Sequence, residues 1–300
     1  KYFNLIINYL ENEFYVQNLD TICGLGEPKV NIDGTPFNEP WGRPQNDGPA
    51  LRGILLFEIY DLFEKDYPNI LNNLVVPMIS KDINYIVENL NKTSFDLWEE
   101  IKGWHFYTRF VQLKFLKEYI SHSKDNCSFN KKIDNIYLNF KNNIKDHICN
   151  DYLISSFNEY GHIVRVNDAS LLLAYCHVRF DKELLKEFPL ELIKINGYNL
   201  INDFREKYNI KNFNMIGRYK NDKYFDGHLW PLCSLGLAQC FYKLSKDNIA
   251  KQIFDYVLNI DSNLDIAEQY DPINKIQLSA KKLTWNYVEL YMSYILFKKN

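Results

Sequence analysis

The sequence predicts an all-α protein built as an array or toroid of paired helices, and three observations carry that reading. Apolar residues recur at helical spacing in most segments, as at Phe106, Phe110, Leu113 and Ile120, while sustained strict alternation is hard to find. Helix follows helix with loops between, and no Ser/Thr-rich linker, low-complexity tract or short-period repeat marks a second domain, so residues 1–300 read as one domain. The composition, 46% hydrophobic and 16% aromatic, supplies one large core.

In chain order the helical segments are 1–18, 50–65, 74–90, 105–122, 129–147, 168–177, 197–208, 230–244, 247–260 and 281–298. The first already contains Lys1, with no initiator Met, so the natural N-terminus is expected upstream and no signal peptide is read in this chain. Asp47-Gly48-Pro49 puts a capping residue and an early-turn proline before Ala50. The spacing quoted above sets the 105–122 segment, and Leu171 to Tyr175 gives an apolar run to the 168–177 segment. Ser279 to Lys282 reads as the cap of the final helix.

The connections stand out more than the helices. Gly24 to Gly48 runs for about 25 residues with little periodicity, and loops of that length in compact domains are usually functional. Polar connections containing aromatics recur at 91–104, 217–229 and 265–280, so four loops are expected to converge at one end of the array.

Several function classes fall away. A net charge of −3 offers neither a nucleic-acid footprint nor a patch for anionic membranes, and points to a neutral partner. No apolar run approaches the roughly 18 to 20 residues of a membrane span; Ile54 to Phe57 and Leu171 to Tyr175 are quickly interrupted. Cys23, Cys127, Cys149, Cys176, Cys233 and Cys240 form no C-x-x-C pair and lack histidines at zinc spacing, so buried free thiols are expected and no metal. Asn91-Lys92-Thr93 and Asn126-Cys127-Ser128 match glycosylation acceptors, which chance also produces in a chain this rich in Asn. Gly24-Leu25-Gly26 lacks the strand, third glycine and lysine of a phosphate loop, and His105, His162 and His228 have neither metal spacing nor a serine-esterase motif beside them.

Two acidic positions carry the chemistry. Phe95-Asp96-Leu97-Trp98-Glu99-Glu100 crowds three carboxylates beside a tryptophan, which disfavours ionisation of at least one and suits a general acid; a solvated acidic turn fits the same pattern. Glu268, in Ala267-Glu268-Gln269-Tyr270, gains interest as a partner, because glycoside hydrolysis uses one carboxylic acid and one carboxylate on opposite sides of a sugar ring. Asp96 is the alternative proton acceptor, ranked below Glu268 because it stands so close to Glu99. Trp41, Trp98, Trp104, Trp230 and Trp285 all fall in or beside the long loops or at helix starts, where a half-exposed ring would suit the apolar face of a sugar; each also fits core packing. Arg43, Arg218 and Asp222 offer hydrogen-bond forks for hydroxyls, or salt bridges that stabilise the loops.

The stretch from Gly24-Leu-Gly-Glu-Pro-Lys-Val-Asn-Ile-Asp-Gly-Thr-Pro to Phe37, with Pro40-Trp-Gly-Arg-Pro-Gln-Asn-Asp-Gly-Pro-Ala-Leu-Arg52, resembles the fungal and yeast glucoamylases. Asp96-Leu-Trp-Glu-Glu100 with Gly103 and Phe106 is similar to the acid motif of that family, and Ile216-Gly-Arg-Tyr219 with Trp230 to its later substrate-binding segment. Glu268-Gln-Tyr-Asp271 and Leu278-Ser-Ala-Lys-Lys-Leu-Thr-Trp285 complete the order. The resemblance implies an (α/α)6 toroid that removes single glucose units, with inversion, from the non-reducing ends of starch-type or glycogen-type α-glucans, without a cofactor. It implies Glu99 as acid and Glu268 as base, roughly 6.5 to 9.5 Å apart, and Trp41, Trp98, Glu100, Arg218, Tyr224, Trp230 and Trp285 as subsite residues, with the backbone of Leu97 and Trp98 adding polar contacts. It also favours a secreted or vacuolar monomer. The family's upstream Trp-x-Arg-Asp segment is absent, the ten segments fall short of twelve helices, and the stretch from Arg218 to Glu268 is shorter than in the fungal enzymes. The expectation is a toroid without its first helix pair: a fragment, or a short form with a weakened terminal-glucose subsite. The competing readings are a glucan-binding or regulatory descendant without turnover, and a hydrolase of another α-glucoside.

Overall fold

The structure, a computed structural model, describes residues 2–123 and 128–298. The chain folds as two compact units, Lys1–Asp146 with Ser156–His162, and His147–Ser155 with Ile163–Asn300. The 126–128 glycosylation triplet and Cys127 lie wholly or partly outside the described residues.

The first unit holds α1 (Tyr2–Val16), α2 (Gly48–Phe63), α3 (Val76–Asn89), α4 (Phe106–His122) and α5 (Ser128–Ile144). Helix α2 packs against α3 and α4, and α4 against α5. Most of the first three turns of α4 are buried, from Phe106 to Leu116, as expected of a helix apolar nearly all round. This unit also holds three antiparallel strands, β1 (Ser94–Phe95), β2 (Lys102–His105) and β3 (Ser156–Asn158), with Ser94 opposite Gly103 and His105 opposite Ser156. His105 fastens them, its imidazole bonded to the Ser156 hydroxyl at 2.9 Å and the Ser94 carbonyl at 3.0 Å. These strands have two to four residues, too few for a period of two to show in the sequence.

The second unit holds α6 (Ser170–His177), α7 (Glu191–Tyr208), α8 (Pro231–Lys243), α9 (Asp247–Leu258) and α10 (Thr284–Lys298). Helix α8 is its hub, buried from Pro231 to Phe241 and packed against α6, α9 and α10. Helix α7 starts at Glu191 and not at 197; Gly197 lies inside it, where a Cβ would stand 2.7 Å from the Phe241 ring of α8. A hairpin of β4 (Gln269–Asp271) and β5 (Ile276–Leu278) occupies the predicted loop before α10.

Two expected caps behave differently. Asp47 precedes α2, but its backbone is already helical and its carboxylate makes no capping bond. Ser279 turns its hydroxyl to Glu268 and does not cap α10. Cys23, Cys149, Cys176, Cys233 and Cys240 are free thiols, and the last three are buried. Among the described residues no helix is long and apolar enough to cross a membrane.

Candidate active site

The loops meet in two pairs, one in each unit. In the first unit, the connection between β1 and β2 carries the acidic cluster. Asp96 organises it: its backbone N–H donates to Ile101 O at 3.0 Å, its Oδ1 accepts the N–H groups of Glu100 and Ile101 at 2.7 and 2.9 Å, and its carbonyl accepts Glu99 N–H at 2.9 Å. This turn forces Glu99 to φ +66°, the left-handed region that costs a non-glycine residue on the order of 1–2 kcal/mol. The half-buried Glu99 carboxyl accepts the Gln45 amide N–H on Oε1 at 3.1 Å, and Oε2 has no hydrogen-bond partner among the described residues. Asp96 is buried, with its Oδ1 and its backbone committed to the turn. Glu100 is exposed, Leu97 half-buried, and the Trp98 ring is buried, so of the two readings open to Trp98 the structure supplies core packing. Its place in a tight turn packs it inward.

The loop from residue 24 to 48 lies directly against this turn. At Gly42 a Cβ would stand 2.8 Å from the Phe95 ring and 3.1 Å from Glu99 O, so the adjoining Trp41 is tied to the Glu99 turn through a glycine that nothing larger replaces. Trp41 is the exposed tryptophan, at 43%, with Phe37 edge-on at 5.8 Å and the Lys29 ammonium 3.4 Å from its centroid. Arg43 shapes the loop: Nε donates to both Glu27 carboxylate oxygens at 2.7 and 2.9 Å, and Nη1 and Nη2 donate to the carbonyls of Glu39 and Phe37. Of the two roles open to Arg43 in the sequence, the geometry supplies the loop-stabilising one.

In the second unit, Glu268 leads into β4, its N–H donating to Ala280 O at 2.8 Å. Ser279, at φ +62°, donates its hydroxyl to Glu268 Oε2. Tyr224 and Ser279 hydroxyls lie 3.0 Å apart. Because Ser279 donates to the carboxylate, Tyr224 O–H donates to Ser279, giving a relay that ends on Glu268 and leaves Oε1 open. The segment before Glu268 is fixed from α10: buried Asn286 donates to Ala267 O at 2.8 Å and accepts Leu232 N–H at 3.0 Å, and Tyr287 donates to Leu264 O at 2.8 Å.

The 217–229 loop packs onto the segment that carries Glu268. Arg218 and Asp222 are buried as a two-pronged pair, Nε to Oδ2 at 2.7 Å and Nη2 to Oδ1 at 2.6 Å, and Asp222 Oδ1 also accepts Tyr224 N–H. The Arg218 guanidinium lies 5.2 Å from the centroids of both Tyr224 and Trp230. Here too the sequence left two roles open, and the pair braces the loop; breaking such a pair costs about 3–5 kcal/mol. Trp230 is buried against that guanidinium and not half-exposed, whereas Tyr224 is 43% exposed. Past Tyr224 the backbone enters three consecutive left-handed residues, Phe225 (φ 47°), Asp226 (φ 59°) and Gly227 (φ 60°). Gln269, next to Glu268 in the chain, brackets them: its Nε2 donates to Tyr224 O at 3.1 Å and its Oε1 accepts His228 N–H at 3.0 Å.

Trp285 is half-buried at the start of α10, and its indole N–H donates to Glu289 Oε1 at 3.1 Å. Glu289 also takes His177 Nε2 at 2.9 Å and Gln239 at 2.7 Å. Burial pushes the Glu289 carboxyl up, but the hydrogen bond and charge of His177, with Gln239 and Trp285, outweigh it and hold it below the ordinary glutamate range. The ion thus stays in place to orient the indole. Gln45, Ser279, Gln269 and Asn286 were missed as site residues in the sequence; each is a neutral group whose role appears only when distant segments meet.

The family model of Glycosyl hydrolases family 15 matches residues 11–259. Glucoamylase-1 of Arthroderma benhamiae is 32% identical over 263 residues, 79% of this chain and 41% of that protein. Glucoamylase S2 of Saccharomyces cerevisiae is 28% identical over 295 residues, 82% of this chain and 38% of that protein. The chain therefore spans less than half the length of these curated relatives. Among solved structures, the family 15 glucoamylase from Hypocrea jecorina superposes with a TM-score of 0.86 at 23% identity, covering 97% of this chain and 59% of that one. The glucoamylase from Saccharomycopsis fibuligera gives 0.83 at 20% identity, covering 98% and 80%. These likenesses place the helical architecture in the (α/α)6 class, and with the match over most of its length the chain belongs to glycosyl hydrolases family 15.

Proposed function

We propose that residues 1–300 act as one catalytic domain that hydrolyses α-1,4-glucosidic bonds, and α-1,6 bonds more slowly, from the non-reducing ends of starch-type or glycogen-type chains. The product is β-D-glucose. The observation that carries this reading is that Glu99 and Glu268 each have one oxygen held by a neutral donor, Gln45 or Ser279, and the other left open. A neutral donor steadies a carboxyl without the charge of an ion pair, which suits groups that must exchange a proton.

In the proposed reaction Glu99 Oε2 gives its proton to the glycosidic oxygen as the bond to C1 breaks. Glu268 takes a proton from the water that attacks C1 from the other face, so the anomeric centre inverts. Asp96 holds the turn that aims Glu99. Trp41 and Tyr224 offer exposed ring surface to the sugar and Trp285 a half-buried one, while Arg43, Leu97, Trp98, Glu100, Arg218, Asp222 and Trp230 belong to the loops that carry these groups.

Incubation of the purified chain with maltoheptaose tests the activity. Glucose and maltohexaose are expected as the first products; maltose and maltotriose from the start would contradict exo-action. Binding without any product would make the chain a glucan-binding descendant.

A further inference from the structure

The proposed function uses the Tyr224 side chain but gives no role to its neighbour, which has the less comfortable backbone. Phe225 sits at φ 47°, ψ 47° as the first of three left-handed residues. A bulky aromatic residue is a genuine outlier there, since glycine or asparagine takes the same conformation with less strain. Its ring gains little burial in return: Phe225 is 48% exposed, and its ring contact is Tyr224, at 4.8 Å between centroids and 80° between planes.

The strained conformation is held from two sides. Gln269, fully buried, bonds the carbonyl before the run and the N–H after it. From the last turn of α7, Lys207 Nζ donates to the carbonyls of Asp226 and Gly227, the latter at 2.7 Å, and Tyr208 O–H meets His228 Nδ1 at 2.8 Å. The loop is therefore fixed with two perpendicular, half-exposed aromatic rings turned to solvent, one of them the hydroxyl donor of the relay to Glu268.

We propose that Phe225 and Tyr224 form an aromatic corner that takes the apolar face of a glucose unit of the α-glucan chain, making Phe225 a chain-length-determining residue. A pyranose ring presents C–H groups on one face, and an aromatic ring fixed in advance binds them without an ordering cost. The strain at Phe225 is then the means by which the loop keeps an apolar ring out of the core and available to ligand. This inference rests on the glucan reading above.

The test is titration calorimetry of the Glu99→Gln chain with maltose and maltoheptaose, alone and with Phe225→Gly or Phe225→Trp added. Phe225→Gly removes the ring and suits the backbone, so Tm holds or rises while Kd for maltoheptaose increases about tenfold, the scale of one aromatic face returned to water. Maltose affinity stays within about twofold, and Phe225→Trp restores maltoheptaose binding. Unchanged maltoheptaose affinity in Phe225→Gly, with binding otherwise intact, overturns the corner and leaves the glucan reading standing. A drop in Tm with equal loss of both ligands also overturns it, by making the ring a packing element. If the Glu99→Gln parent binds neither sugar, the glucan reading fails and the corner with it.

Discussion

Replacing Glu99 with Gln is expected to lower kcat on maltoheptaose by about 100-fold to 10,000-fold, the range a positioned general acid contributes, while Kd changes by less than about twofold. The amide keeps the shape and can still accept the Gln45 N–H on its oxygen, so the turn and the contact to the 24–48 loop survive. What it loses is the proton on Oε2. Steady-state kinetics beside calorimetric binding separates the two quantities. An equal loss of binding and rate would show that the substitution damaged the loop and would remove the evidence for an acid role.

Glu268→Gln is expected to cost about 100-fold to 1,000-fold in kcat, again with binding retained, because the amide oxygen still accepts from Ser279 but takes no proton from water. Asp96→Asn is the informative companion. An amide oxygen in place of Oδ1 still accepts the N–H groups of Glu100 and Ile101, so the turn keeps its frame. If Asp96→Asn lost more activity than Glu268→Gln at an unchanged Tm, the proton acceptor would be Asp96 and the assignment of Glu268 would be wrong.

The sequence made the candidate residues easier to pick out than the structure that positions them. Long aperiodic loops, clustered carboxylates and the motifs around Trp41, Glu99 and Glu268 were visible because charge, aromatic content and lack of helical spacing are local properties. Helix periodicity likewise located α2, α3, α4 and α8 within a few residues. The hairpins carrying Glu99 and following Glu268 were invisible, since strands of two to four residues leave no alternating pattern. For Trp98 and Trp230 the sequence left core packing and a half-exposed face both open, and the turn at Asp96 and the Arg218–Asp222 pair decide for burial. The left-handed backbone at Glu99 and Phe225 had no sequence signal either, because neither residue is one that favours that region.

The most direct measurement is proton NMR of the anomeric signals as the wild-type chain begins to act on maltoheptaose, with Glu99→Gln as control. The account predicts that the β-anomer of glucose appears first, that α-glucose follows only by mutarotation, and that the control produces neither. α-Glucose as the first product would require retention of configuration, and would contradict an acid at Glu99 working with a water-activating base at Glu268.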